Sequence, residues 1–238
     1  MTDVSCLNVR LFADSAELAE IRRLHADSHI RGFTTNPALM AKAGVTDYEA
    51  FAREVLSVIE DRPVSLEVFA DDFGEMQRQA RKIAGWGPNV YVKIPVTNTR
   101  RESALDLICS LSHSGVKVNV TALLTVEQVR EVAEVLAGGA PSFVSVFAGR
   151  IADTGRDPVP IMAEAVEILR IDPRIELIWA SPRELLNIFQ ADATGCHIIT
   201  VPPEIIRKLQ LIGKDLADYS LETVRMFYDD AHKSGFSL

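Results

Sequence analysis

Eight short runs of apolar, β-branched residues recur along this chain, and an amphipathic segment follows each of them. The runs are Leu7–Phe12, His29–Phe33, Val64–Phe69, Val90–Ile94, Val116–Val120, Phe143–Phe147, Ile175–Trp179 and His197–Val201. Between them, Ser15–His25, Tyr48–Glu60, Phe73–Ala84, Thr99–His113, Val126–Leu136, Val159–Leu169 and Arg183–Ala191 carry apolar residues at helical spacing. Strands that alternate with helices run parallel and are joined by right-handed crossovers. Eight such units predict a closed (β/α)8 TIM barrel, an α/β fold of roughly 250 residues, and the chain has 238. The competing arrangement is an open doubly wound sheet, but no GxGxxG follows an early strand. With no linker, low-complexity tract or charge block, residues 1–238 read as a single barrel domain. Pro202-Pro203 opens a further helix. Leu221–Ala231 forms a last one, within a C-terminal helical extension over residues 219–238.

Apolar residues make up 47% of the chain, enough for one sizeable core. The formal net charge of −8 argues against nucleic acid or an anionic membrane as the main partner. It leaves room for an anionic small molecule held in a locally positive pocket. Cys6, Cys109 and Cys196 are far apart and form no CxxC, so neither a disulfide framework nor a zinc site is expected. His25, His29, His113, His197 and His232 form no ligand-spaced cluster; no metal and no cofactor is expected. His29 and His197 stand near strand starts and read as packing residues. The opening Met1-Thr2-Asp3-Val4-Ser5 is polar and acidic, and no apolar run reaches the about 18 residues of a membrane span. These features predict a soluble, reduced, cytoplasmic protein.

Lys93 stands in Val90-Tyr91-Val92-Lys93-Ile94-Pro95-Val96, an ammonium in an otherwise apolar strand. Desolvating that charge is costly. One escape is a neutral amine, the nucleophile of Schiff-base chemistry on a carbonyl. The other is a strand-end lysine that snorkels to water or pairs with a carboxylate. Glu67, in Ser65-Leu66-Glu67-Val68-Phe69, is a second charge in an apolar strand, and adjacent strands would couple the two.

Further polar groups fall at the C-terminal strand ends, where barrels of this type build their active sites. They are Asp14, Thr35, Asn36, Asn119, Thr121, Ser145, Arg150, Ser181 and Arg183. Each also has an ordinary use: Asp14 as a helix cap, Asn36-Pro37 as a turn initiator, Asn119 and Thr121 as partners of loop backbone, the arginines as solvated charges. Together they supply an amine nucleophile, two carboxylates for proton transfer, hydroxyl-binding amides and a guanidinium clamp for a phosphate.

Ala13-Asp14, Thr34-Thr35-Asn36-Pro37, Val92-Lys93-Ile94-Pro95, Asn119-Val120-Thr121, Gly149-Arg150-Ile151 and Ala180-Ser181 occur in an order that resembles the transaldolase family over nearly the whole chain. The resemblance implies a (β/α)8 barrel in which Lys93 forms the Schiff base and Asp14 transfers the proton in carbon–carbon cleavage. It makes Glu67 an acid/base acting through a water held with Thr121. Thr35, Asn36 and Asn119 become substrate contacts, and Ser145, Arg150, Ser181 and Arg183 a phosphate-binding set. The related fructose-6-phosphate aldolases resemble this chain but carry glutamine and tyrosine where it has Glu67 and Phe147. The chain is therefore similar to enzymes that transfer dihydroxyacetone between sugar phosphates. Simple aldolase cleavage, another anionic sugar and a non-catalytic sugar-phosphate-binding barrel are the alternatives. The short branch of the family forms homo-oligomeric rings, pentamers or decamers, with the C-terminal helix on a neighbouring subunit. One departure is Ala180-Ser181-Pro182-Arg183, where the family commonly has phenylalanine before the arginine; proline there redirects the backbone and removes a donor.

Overall fold

In the computed structural model, residues 6–235 are described; Met1–Ser5 and the end of the 219–238 extension lie outside them. Eight parallel strands close into a barrel in sequence order, and the last pairs back onto the first. They are β1 (Arg10–Asp14), β2 (Ile30–Thr34), β3 (Val64–Glu67), β4 (Val90–Pro95), β5 (Val118–Leu123), β6 (Ser142–Val146), β7 (Ile175–Trp179) and β8 (Ile198–Val201). Around them run α1 (Leu18–His25), α2 (Pro37–Lys42), α3 (Tyr48–Val58), α4 (Phe73–Ala84), α5 (Leu105–His113), α6 (Val126–Leu136), α7 (Ala148–Asp153), α8 (Val159–Leu169), α9 (Leu186–Ala193), α10 (Pro203–Ile206) and α11 (Leu216–Lys233).

Successive strand side chains face opposite sides, and here each side has its own core. Leu11, Ala13, Leu66, Val92, Ile94, Val118, Val144 and Leu177 face outward and merge with the helices. Helix α4 shows how the match is made: it buries Met76, Ala80 and Ile83, one stripe at helical spacing. The Asp72 carboxylate caps it by accepting from the Glu75 N–H at 3.0 Å, a contact that stabilises by about 1 kcal/mol. Phe12, Phe143, Ile178 and Ile198 form a separate cluster on the barrel axis. The Phe12 ring meets Phe143 edge-on at 5.7 Å, and Tyr91 stacks on Phe143 at 3.9 Å. A Cβ on Gly32 would lie 2.5 Å from the Phe12 ring, so β2 gives up a side chain where Phe12 fills the barrel. This aromatic layer is the floor beneath the polar strand ends.

Several boundaries differ from the sequence expectation, each for a local reason. β1 starts at Arg10, not Leu7, because the Asp192 carboxylate on α9 takes the Asn8 and Val9 amides at 2.7 and 2.9 Å. α5 starts at Leu105, not Thr99. The Asn98 side-chain Oδ1 accepts from the Arg100 and Glu102 amides, and Thr97 bridges Ser103 in a small hairpin. α9 starts at Leu186, not Arg183, since the Asn187 side chain accepts from the Arg183 and Glu184 amides. The short helices α2 and α7 were not expected. α11 is longer than the Leu221–Ala231 expectation, because Asp215 caps it by accepting from the Ala217 and Asp218 amides.

α11 differs from the barrel helices in burying none of its side chains. Leu221, Val224, Phe227 and Tyr228 share helical spacing and are all exposed, Phe227 and Tyr228 at 63%.

Candidate active site

The inward parity that carries Phe12, Tyr91, Phe143 and Ile178 continues two residues further along each strand. There it places Asp14, Lys93, Ser145 and Ala180 around a cavity of about 500 Å³ at the C-terminal end of the barrel. Asn36, Glu67, Asn119, Thr121, Phe147, Arg150 and Ser181 complete the set of expected residues on its wall.

Lys93 is 8% exposed. Its Nζ lies 3.0 Å from Glu67 Oε2 and donates to the Thr35 carbonyl at 3.0 Å. The lysine therefore pairs with a carboxylate, and does so inside the cavity, not by reaching the outer surface. Asp14 is not a helix cap: α1 begins four residues later, and the Asp14 carboxylate turns into the barrel. Its Oδ1 accepts from Thr34 Oγ1 at 2.8 Å and its Oδ2 from Asn36 Nδ2 at 3.4 Å. Burial pushes the Asp14 carboxyl above its ordinary value; Lys93 and the Thr34 hydroxyl oppose that shift, while Glu67 and Glu204 add to it. Asn36 also caps α2, its Oδ1 accepting from the Leu39 amide at 3.0 Å.

Across the barrel, Ser145 donates to Asn119 Oδ1 at 2.7 Å, and Asn119 Nδ2 donates to Ser65 at 3.0 Å. This belt fixes the Asn119 amide beside Lys93, its register partner on the next strand. Thr121 Oγ1 is buried with no protein partner, on the cavity wall. Ala122 and Ser181, on the same wall, have left-handed backbones with φ of 66° and 61°. Such strain persists where surrounding contacts enforce it, often at functional sites.

The two arginines part company. Arg150 lines the cavity and lays its guanidinium 5.5 Å from the centre of the Phe147 ring. Arg183 is absent from the wall and is held by Asp153 of α7, with Nε 3.0 Å from Oδ1 and a second contact from Nη2 to Oδ2. Gly149 lies between them. A Cβ there would fall 1.5 Å from the Ser181 carbonyl oxygen, so the start of α7 packs directly on the loop after β7.

Thr35 is the other expected residue that does not reach the wall with its side chain. Its hydroxyl points behind the strand, and only its carbonyl serves the site. The neighbouring Thr34 faces inward instead, and so does Thr200 on β8; neither was singled out from the sequence. His197 behaves as a packing residue, accepting from the Leu177 amide at 3.0 Å, and burial lowers its pKa.

Among the described residues no helix is long and apolar enough to cross a membrane. Residues 11–238 match the family described as transaldolase/fructose-6-phosphate aldolase. A protein of Dehalococcoides mccartyi named probable transaldolase is 37% identical over 211 residues, 88% of this chain and 93% of its own. One from a Thermoanaerobacter species, with the same name, is 35% identical over 231 residues and spans 97% of this chain and all of its own length. Among solved structures, a Burkholderia cenocepacia protein aligns over 97% of this chain and 86% of its own, with a TM-score of 0.58 and 14% identity, a likeness of fold alone. Sequence kinship over almost the full length, together with the closed barrel, leads to one conclusion: the chain belongs to the transaldolase/fructose-6-phosphate aldolase family.

Proposed function

We propose that this chain is a class I, Schiff-base transaldolase that moves a dihydroxyacetone unit from a ketose phosphate, such as fructose 6-phosphate, to an aldose phosphate. The reading is carried by Lys93, a buried amine on the cavity wall with Glu67 at 3.0 Å and Asp14 on the same wall. Lys93, once its proton has passed to Glu67, attacks the ketose carbonyl and forms a carbon–nitrogen bond. Glu67 then protonates the carbinolamine hydroxyl through a water held by Thr121, and water leaves to give the iminium. Asp14 takes the proton of the substrate hydroxyl as the adjacent carbon–carbon bond breaks, and the aldose phosphate departs. The electron pair of that bond stays as an enamine on Lys93 until an acceptor aldehyde reverses the sequence.

Asn36 and Asn119 supply hydrogen bonds for the dihydroxyacetone hydroxyls, while Ser145, Ser181 and Arg150 receive the anionic end. Phe147 supports transfer over simple aldolase cleavage, because its ring has no hydroxyl with which to protonate the enamine. The unpartnered apolar stripe of α11 supports a homo-oligomer in which this helix packs on a neighbouring subunit. Three free cysteines fit a reducing compartment such as the cytoplasm.

The test is mass spectrometry after incubation with fructose 6-phosphate and borohydride. A reduced three-carbon adduct on Lys93 is expected. An unmodified Lys93 with this and other ketoses would favour a barrel that binds sugars without catalysis.

A further inference from the structure

We infer that Thr200, on β8, is a positioning residue for Asp14, acting through Thr34 in a one-way chain of hydroxyl groups. For the ionised form of Asp14 the direction follows from proton counting. Thr34 has a single hydroxyl proton, and an ionised carboxylate can only accept. Its 2.8 Å contact with Asp14 Oδ1 therefore uses that proton. In the second contact, Thr34 Oγ1 to Thr200 Oγ1 at 2.5 Å, the donor is then Thr200. Both threonines are buried, at 4% and 7% exposure, and β-branching restricts their rotamers. The register pairs Asp14 with Thr34 on one side of β1 and Phe12 with Thr200 on the other, so three adjacent strands fix the chain.

Donation by Thr200 polarises the Thr34 hydroxyl and strengthens its bond to the carboxylate. The other groups facing Asp14 are Lys93 from β4, Glu67 from β3, Glu204 from α10 and the Asn36 amide. Lys93 and the hydroxyl chain favour the ionised form, whereas burial, Glu67 and Glu204 favour the acid. Removing the Thr200 hydroxyl therefore moves Asp14 toward protonation. Only the kinetic consequence of this chain rests on the proposed function; the carboxyl titration does not.

The experiment is ¹³C NMR titration of the Asp14 carboxyl in the full-length, substrate-free protein, with the resonance identified by its loss in Asp14→Asn. The pH dependence of kcat is measured alongside. Thr200→Val keeps the shape and removes the hydroxyl; it should raise the titration midpoint by about a tenth to half a pH unit, and Thr200→Ser should restore it. Thr34→Val should raise it by about one pH unit or more, and adding Thr200→Val to that variant should change nothing further. An unchanged midpoint in Thr200→Val would overturn the inference, as would an undiminished effect in the Thr34→Val background. A raised midpoint without a matching move in the kcat profile would uphold the chain and count against Asp14 as the proton-transfer group.

Discussion

Glu67 and Lys93 are register partners across β3 and β4, and both turn into the barrel, so their 3.0 Å contact is built by strand pairing and not by a flexible loop. The carboxylate that compensates the buried ammonium is thus positioned to take its proton. One pair meets the electrostatic cost of placing a lysine there and, in the proposed mechanism, also serves as the route by which its proton leaves.

Glu67→Gln keeps the shape of this contact and removes its charge. kcat should fall by about 10²–10⁴-fold, the usual contribution of a general acid–base. The melting temperature should fall too, because the buried Lys93 ammonium keeps neutral acceptors such as the Thr35 carbonyl but loses its counter-charge. Steady-state kinetics beside a thermal melt checks both; near-normal turnover would remove Glu67 from the chemistry.

Asp14 links the site to stability. Burial holds its carboxyl above the ordinary 3.8, so the folded state binds this proton more tightly than the unfolded chain does. The contribution to stability is full below about 3.8 and is lost as pH rises through the folded value. Asp14→Asn should therefore be more stable than the parent at pH 7, with the gap shrinking on acidification and levelling off near 3.8. Urea unfolding from pH 3.5 to 8 tests the sign; a gap that widens on acidification would contradict it.

Phe147→Tyr should raise aldolase activity relative to transfer, by placing a hydroxyl at the cavity wall. Product assays with and without an acceptor aldehyde measure the ratio. If it does not move, Phe147 does not set the balance.

Arg150→Ala should raise KM for phosphorylated substrates by about tenfold or more and for unphosphorylated analogues far less. Asp153→Asn releases Arg183 from an exposed ion pair, and such pairs are weak. A fall in KM of about two- to fivefold for phosphorylated substrates is expected. Equal effects on both substrate classes would detach these arginines from anion binding.

A charge on the α11 stripe should dissociate the proposed homo-oligomer. Phe227→Asp with Tyr228→Asp is expected to give a smaller species by sedimentation velocity, with the barrel still folded. An unchanged sedimentation coefficient would assign α11 another role.

The barrel was legible because strand and helix periodicities alternate eight times, and Lys93 and Glu67 because charges inside apolar strands stand out. Thr34 and Thr35 show where that legibility stops. Adjacent strand residues face opposite sides, and the sequence does not settle the parity that turns the Thr34 side chain, not that of Thr35, onto the cavity wall. Thr200 is invisible for another reason: in Ile198-Ile199-Thr200-Val201 it is an ordinary strand former. The Asp153–Arg183 pair joins the end of α7 to the loop after β7, thirty positions apart in sequence, and no local pattern announces it. The late start of β1 likewise depends on Asp192, at the far end of the chain.

Gly149 ties the start of α7 and the loop after β7, beside Arg150 on the cavity wall, into one piece. Its Cα presses on the Ser181 carbonyl, leaving no space even for a methyl group. The helix bearing Arg150 therefore cannot shift without displacing the loop bearing Ser181 and Arg183. The shape of the cavity at this end is thus a joint property of two chain segments. Any redesign or evolutionary drift toward a bulkier ligand has to alter both at once.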